Sequence, residues 1–264
     1  MEIITQEISF PLLKEKQIKL FIKRIDQVHD DISGNKWYKL KYNLVKAKEQ
    51  GVKSILTFGG AYSNHIAASA CLAKENGFSS IGIIRGEENF PLNPTLEFAI
   101  GQGMKIHYVS RSDYKLKHTV SFFEKLKVKF GDFYLIPEGG TNELGIKGAE
   151  EILDEYDTQD YICCAIGTGG TVAGIINSTN KNQKVLGFSS IKGLSNLEND
   201  VLRFVIRDNY KLISEYCCGG YARLNNELVE FVNHFHTTQN IALDLIYTGK
   251  MMYGIMDLVA RDYF

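Results

Sequence analysis

Short apolar runs, many of them β-branched, alternate with stretches of helical period along most of the chain. The run KSILTF at 53–58 predicts a buried strand, Gly59-Gly60 a turn, and 63–75 a helix that Asn76-Gly77 stops in a left-handed conformation. SIGII at 80–84 predicts the next strand, 93–100 a short helix, 105–109 a strand and 112–130 a helix. FYLI at 133–136 reads as a strand and 143–156 as a helix. YICCAI at 161–166 is a strand entering a Gly-rich loop, with a helix over 171–177 and a strand over 185–189 after it. Apolar strands separated by helices predict mainly parallel sheets covered on both faces, an α/β architecture. The number of strands favours two α/β layers sharing a cleft over one long sheet. No repeat, low-complexity tract or Pro-rich linker marks a border.

Composition narrows the class without changing this picture. A chain of 264 residues suffices for one large domain or two small ones. Lys and Arg number 30 against 31 Asp and Glu, a net charge of -1, which gives no electrostatic case for nucleic acid or an anionic membrane. The longest apolar runs, such as 162–166, are too short to span a bilayer. The opening MEIITQE has neither the basic nor the apolar region of a signal peptide. The cysteines are Cys71 and the adjacent pairs Cys163-Cys164 and Cys217-Cys218. They match neither a disulfide framework nor a Cys-x-x-Cys metal spacing, so reduced thiols in the cytoplasm are the simpler account.

Three segments carry candidate chemistry. IGTGGTVAG at 166–174 joins a strand to a helix; glycines permit a sharp turn and close approach, and free N–H groups at the helix start face an anion. Its alternative is a plain strand-to-helix turn. Val172 stands where a dinucleotide fingerprint needs its last glycine, and Ser189-Ser190 where a ribose-binding acid belongs, so NAD is disfavoured; no P-loop run occurs. One phosphate monoester is the anion that remains. SGNKWYKL at 33–40 places Lys36 and Lys39 three residues apart, so that one could form a Schiff base and the other neutralise a phosphate. Read alone, it is more simply an exposed, Lys-rich helix start. GGAYSNH at 59–65 follows a buried strand at the carboxyl edge of a parallel sheet, where open α/β proteins bind ligands. There Ser63 or Asn64 either meets a ligand or caps the helix, and His65 reads as structural.

GNKWYKLKY, TFGGAYSNH, IPEGGTNELGIKG, AIGTGGTVAG and IYTGKMMYGI occur in that order. Together they resemble the pyridoxal-phosphate family that contains 1-aminocyclopropane-1-carboxylate deaminase and D-cysteine desulfhydrase, over about residues 18–261. The resemblance implies the two-domain α/β fold of the tryptophan synthase β-like (fold type II) enzymes. A smaller α/β domain would cover 41–137, and a larger cofactor domain 1–40 plus 138–264, with pyridoxal 5′-phosphate between them. It implies that Lys36 attaches the cofactor covalently and that Lys39 lies near its phosphate. Ser63 would face the substrate, and Asn64 would bond the pyridine 3-oxygen. Gly167, Thr168, Gly169, Gly170 and Thr171 would form the phosphate loop. Tyr221 and Tyr247 match the two active-site tyrosines, and Thr248 falls where a side chain meets the pyridine nitrogen. A homodimer is also implied. Three departures stand out. Tyr38 replaces a frequent arginine, and Thr248 a glutamate of the cyclopropane deaminases. The chain stops at Phe264, where relatives continue with a strand and a Gly-rich turn.

The expected reaction starts from a small amino acid joined to the cofactor, with the freed Lys36 amine as base near Cα. A leaving group then departs from Cβ, and ammonia and a 2-oxo acid result. Ring opening of 1-aminocyclopropane-1-carboxylate and β-replacement are alternatives within the class. A cofactor-binding homologue without turnover, or a phosphate-ligand module without Lys36 chemistry, lies outside it.

Overall fold

Ile55 and Leu56, neighbours on one strand, enter two different cores, so the sheet that holds them is covered on both faces. In the computed structural model the described residues are 3–32, 34–193 and 195–264, without the side chains of 195, 196, 198 and 202. Ser33, which opens the quoted lysine motif, lies outside them. Nine strands are found among the described residues: β1 Thr5–Ile8, β2 Leu20–Lys23, β3 Ser54–Gly59, β4 Ser79–Arg85, β5 Met104–Val109, β6 Tyr134–Ile136, β7 Tyr161–Ile166, β8 Lys184–Ser189 and β9 Tyr210–Ile213.

The chain divides into two compact α/β units. One is Asp26–Gly148; the other combines Met1–Ile25 with Ala149–Phe264. The sequence reading put the borders at 40/41 and 137/138. The helix Gly34–Glu49, which that border cuts, sends Leu40, Leu44 and Ala47 into one core with Ile55 and Ile136.

In Asp26–Gly148 the strand order is β5-β4-β3-β6, all parallel, with Ile55 opposite Ser80 and Tyr134. Leu56, Phe58, Ile81 and Ile83 pack on Phe122 and Leu126 of the helix Val120–Phe130. Each such fully buried side chain contributes about 1.5–3 kcal/mol by leaving water. Sequence predicts one helix over 112–130; the structure breaks it into Arg111–Tyr114 and Val120–Phe130. Thr119 is the cause: its Oγ1 caps the second helix by accepting from Phe122 N, and its own N–H turns back to the Leu116 carbonyl.

The other unit holds the parallel sheet β7-β8-β9 and the antiparallel pair β1-β2, which the sequence reading did not anticipate. Leu186, Phe188 and Ile213 pack on Phe235 of the helix Asn226–Gln239 and on Met252, Ile255 and Val259 of the helix Thr248–Ala260. The helix predicted over 143–156 ends at Ala149. Beyond it the chain turns so that Asp154 and Asp157 both receive the Lys23 ammonium, Asp154 at 2.6 Å. Asp157 also accepts the Asp154 N–H, which folds 154–157 into a turn rather than a helix.

Burial opposes the Lys23 charge, but the hydrogen bonds to Asp154 and Asp157 outweigh it and hold the ammonium's pKa above its usual 10.5. The bond from Lys23 holds Asp154 below the usual 3.8. Lys23→Met leaves the buried Asp157 without its cation and should cost about 1–3 kcal/mol in urea unfolding at pH 7. A depressed carboxylate stabilises above its unfolded pKa and loses that contribution as pH falls through the folded one. The gap between wild type and variant should therefore close below about pH 4. A gap that does not narrow at all between about pH 4 and pH 2 would show that the Lys23–Asp154 bond contributes nothing to it.

Candidate functional site

Two clusters of polar residues stand at the carboxyl ends of parallel strands, one in each unit. The first, in Asp26–Gly148, begins with the helix Gly34–Glu49. Lys36 is part-exposed there; Lys39, one turn on, is buried and donates to Thr141 Oγ1 at 2.9 Å. Asn43, a further turn along, is fully buried. It donates to the Lys39 carbonyl at 2.9 Å and accepts from Asn142 Nδ2 at 2.8 Å. Thr141-Asn142 thus clasps the lysine helix by two successive turns.

Ser63 caps the helix Asn64–Glu75, its Oγ accepting from Ile66 N at 3.4 Å, and Asn64 is exposed at the first helical position. Gly59, which ends β3, permits this: a Cβ there would lie 2.9 Å from Ser63 Oγ and 2.5 Å from Ile66 Cγ1. His65, read from sequence as structural, is 2% exposed. Its Nε2 lies 2.7 Å from Thr57 Oγ1, whose hydroxyl donates to the Ile136 carbonyl at 2.8 Å. Thr57 can therefore only accept from the ring, so Nε2 carries the proton and Nδ1 is a bare acceptor. That Nδ1 is buried with no hydrogen-bond partner, next to the backbone of Gly140. Burial first, then the charges of Lys36 and Lys39, push the His65 pKa well below 6.5. The ring is neutral beside two lysines.

The second cluster lies in the other unit. After β7 the loop 167–169 leads into the helix Gly170–Ser178. Gly169 is left-handed (φ 83°), and the helix has no side-chain cap. Its dipole and first N–H groups suit an anion. A Cβ on Gly167 would lie 3.0 Å from Tyr247 Cε1, so the loop rests on that ring. Thr171 is buried in the first helical turn. The Tyr247 and Tyr221 rings stand 6.2 Å apart at 62°. Thr248 opens the last helix, and Asp244 organises it. Asp244 Oδ1 accepts from Ile246 N and Tyr247 N, and Oδ2 from Thr248 N and, at 2.7 Å, from Thr248 Oγ1. Thr248 Oγ1 in turn accepts from Asp244 N.

The structure thus gathers Lys36 and Lys39 with His65 in one unit. It gathers Gly167–Thr171, Tyr221, Tyr247 and Thr248 in the other. Asn43, Thr141, Asn142, Asp244 and Lys250 were not singled out from sequence. Of these, Asn142 carried a local signal: it directly precedes the helix Glu143–Ala149, and its Oδ1 accepts from Gly145 N at 2.8 Å. His29, Cys71 and Glu75 also meet within 4.8 Å. Asp31 N donates to His29 Nδ1, so His29 Nε2 bears the proton given to Glu75, and burial pushes the Cys71 thiol up to about 11. Their hydrogen bonds satisfy one another.

No protein-family model matches the chain. Among solved structures, serine racemase from Dictyostelium discoideum has a TM-score of 0.64 at 14% identity, covering 99% of this chain and 88% of that one. A crystal structure titled as an ACC deaminase homologue has a TM-score of 0.83 at 27% identity, covering 99% and 86%. The fold is that of the fold type II pyridoxal-phosphate enzymes. A Thermotoga maritima protein provisionally named 1-aminocyclopropane-1-carboxylate deaminase is 31% identical over 93% of this chain and 86% of its own. A bifunctional D-cysteine desulfhydrase/1-aminocyclopropane-1-carboxylate deaminase of Arabidopsis thaliana, named as mitochondrial, is 28% identical over 92% of this chain and 68% of its own. The chain belongs to the pyridoxal-phosphate-dependent family of 1-aminocyclopropane-1-carboxylate deaminase and D-cysteine desulfhydrase, and it is an enzyme of that deaminase and lyase class.

Two outcomes follow from this geometry. A Cβ at Gly169 would lie 2.7 Å from Val201 Cγ2, at a φ that side chains avoid. Gly169→Ala should lower apoprotein stability by about 1–3 kcal/mol; an unchanged melting temperature would mean that the loop relaxes freely. His65 is held neutral, whereas the unfolded chain protonates it below 6.5. Its contribution is therefore complete above that pH and declines below it, by at most about 1.4 kcal/mol per pH unit. Between pH 6.5 and 5 wild type should lose stability more steeply than His65→Gln; parallel slopes would refute the neutral assignment.

Proposed function

We propose that this enzyme removes a leaving group from Cβ of a small amino acid, as a D-cysteine desulfhydrase does, and releases ammonia and a 2-oxo acid. The residues fit the cofactor of the family. A part-exposed lysine and a buried one share a helix face. Elsewhere a left-handed glycine precedes an uncapped helix start. An amine for an aldehyde and an amide-lined seat for a phosphate dianion are the chemistry that pyridoxal phosphate needs. When bound, that cofactor supplies an electron sink for charge developing at the substrate Cα.

On this reading Lys36 carries the cofactor and its amine moves the Cα proton. Lys39 adds positive charge near the phosphate, and Gly167–Thr171 seats that phosphate. Asn64 contacts the ring's 3-oxygen. Ser63, Tyr221 and Tyr247 handle protons on the substrate side, and His65 stays neutral, so it adds no charge to compete with Lys36. A homodimer is the assembly assigned here, as the resemblance implies. Among the described residues no helix is long and apolar enough to cross a membrane.

Thr248 carries the choice of reaction. Its hydroxyl donates to Asp244, so it offers a neutral oxygen lone pair where the cyclopropane deaminases, by the resemblance, hold a carboxylate. Such an oxygen stabilises ring charge less than a carboxylate does. That suits loss of a good leaving group such as thiolate better than opening of an unactivated ring. The second reading, ring opening, is favoured by the provisional name of the Thermotoga maritima relative.

Borohydride reduction of the cofactor-loaded protein should fix the cofactor on Lys36, and Lys36→Ala should abolish the adduct. Mapping of the label to Lys39 would overturn the assignment. With cysteine, one water is consumed and sulfide, ammonia and pyruvate appear in equal amounts. Turnover of D- or L-cysteine should exceed that of 1-aminocyclopropane-1-carboxylate by at least about tenfold, roughly 1.4 kcal/mol in the barrier. Ammonia from the cyclopropane with none from either cysteine would overturn the choice of reaction.

A further inference from the structure

Lys250 is 2% exposed, two residues beyond Thr248 on the last helix. Burying an ammonium is costly unless its donors are met. The hydrogen bonds of Lys250 among the described residues go to two backbone carbonyls, Cys217 O and Gly220 O, each at 2.8 Å. Burial pushes its pKa down, and the nearby Asp244 and the Cys217-Cys218 thiols oppose that.

Both carbonyls belong to one turn. Cys218, Gly219, Gly220 and Ala222 all have φ in the left-handed region, at 52°, 87°, 129° and 56°. Two of these are not glycine, so the turn is strained and persists only where its surroundings hold it. Gly220 N donates to Cys217 O and Arg223 N to Gly220 O, the same two oxygens that Lys250 takes. The residue inside this arrangement is Tyr221, whose ring meets Tyr247, and Tyr247 in turn lies against Gly167. An apolar side chain at 250 would fill the space at lower desolvation cost but leave both oxygens without their ammonium.

We infer that Lys250 is the positioning residue of Tyr221: its buried ammonium clamps the 217–220 turn by two carbonyls and so holds the Tyr221 ring against Tyr247 at the glycine loop. This rests on the proposed function for the roles of the two tyrosines, but its geometry lies within one unit and is testable without cofactor.

Lys250→Met in the apoprotein should speed amide exchange at 217–223 by about tenfold or more, while the amides of Thr248–Ala260 keep their protection. Exchange that is unchanged at 217–223 overturns the inference. In the loaded enzyme Lys250→Met should lower kcat with little change in KM, and Tyr221→Phe in the same chain should erase most of that effect. Losses from the two substitutions that simply multiply overturn it as well, because a merely structural lysine would not act through Tyr221. If Lys250→Met does not fold, Lys250→Gln, which keeps a donor for one carbonyl, reads the same two measurements at smaller amplitude. If wild type turns over no amino acid, the functional reading fails, and the exchange measurement alone decides whether Lys250 holds the turn.

Discussion

The helix Glu143–Ala149 approaches the start of the lysine helix so closely that only glycine fits: a Cβ on Gly148 would overlap the Tyr38 carbonyl oxygen. Gly145 stands in the same relation to the carbonyl of Gly140. These two approaches bring Thr141 and Asn142 within reach of Lys39 and Asn43. Glycine has the least favourable helix propensity after proline, roughly 1 kcal/mol per residue below alanine. Two of them in a seven-residue helix make sense only if the contact they permit is worth more than the helix they weaken. What they permit is a lysine helix whose first turns cannot slide or rotate. A one-residue slip would carry Lys39 away from Thr141 and Asn43 away from Asn142 together.

Held in that way, the lysines act on what surrounds them. Lys39 is buried, and its ammonium donates to the Thr141 hydroxyl at 2.9 Å. His65 feels both lysines and burial, and it answers by staying neutral. Thr57 settles which nitrogen carries the proton, because its own hydroxyl is engaged with Ile136 on the partner strand β6. A residue in the middle of a strand thus sets the polarity of a ring at the start of a helix. The same economy appears in the other unit, where one carboxylate, Asp244, receives four donors from the turn that precedes the last helix.

How much of this was legible in sequence follows the reach of each interaction. The strands of both parallel sheets except β9, and the Gly-rich turns after β3 and β7, show in local pattern because apolar runs and glycines report local demands. The capping side of Ser63 was visible for the same reason. The false continuity of 112–130 came from a period that survives across a break, since Thr119 interrupts the backbone without interrupting the apolar face. The overlong helix at 143–156 failed because Lys23, more than 130 residues earlier, draws Asp154 and Asp157 into a turn. Asn43 with Asn142, and Lys250 with Cys217, are likewise pairs that no window of sequence contains. The tautomer of His65 depends on Thr57 and Ile136 together, so His65 read alone could only look structural.

Thr248 shows what the structure adds to a substitution that sequence comparison can only name. By the resemblance, Thr248 stands in place of a glutamate, which looks like the loss of a carboxylate. Yet a carboxylate is present, with Asp244 Oδ2 accepting from the threonine hydroxyl at 2.7 Å. A hydroxyl that donates to a carboxylate and accepts from an N–H keeps one lone pair, so it can only accept from whatever approaches next. Its oxygen is also richer in electron density than that of an isolated alcohol, because hydrogen bonds in a chain polarise one another. The charge itself stays on Asp244, an exposed residue, where water and salt screen it. The position is therefore graded between a free alcohol and a glutamate: a directional acceptor with a remote, screened charge behind it. Replacing the threonine by a glutamate would set that charge directly at the helix start, beside the carboxylate already there. Two like charges would then share one cap, so the turn built on Asp244 disfavours a second carboxylate at this helix start.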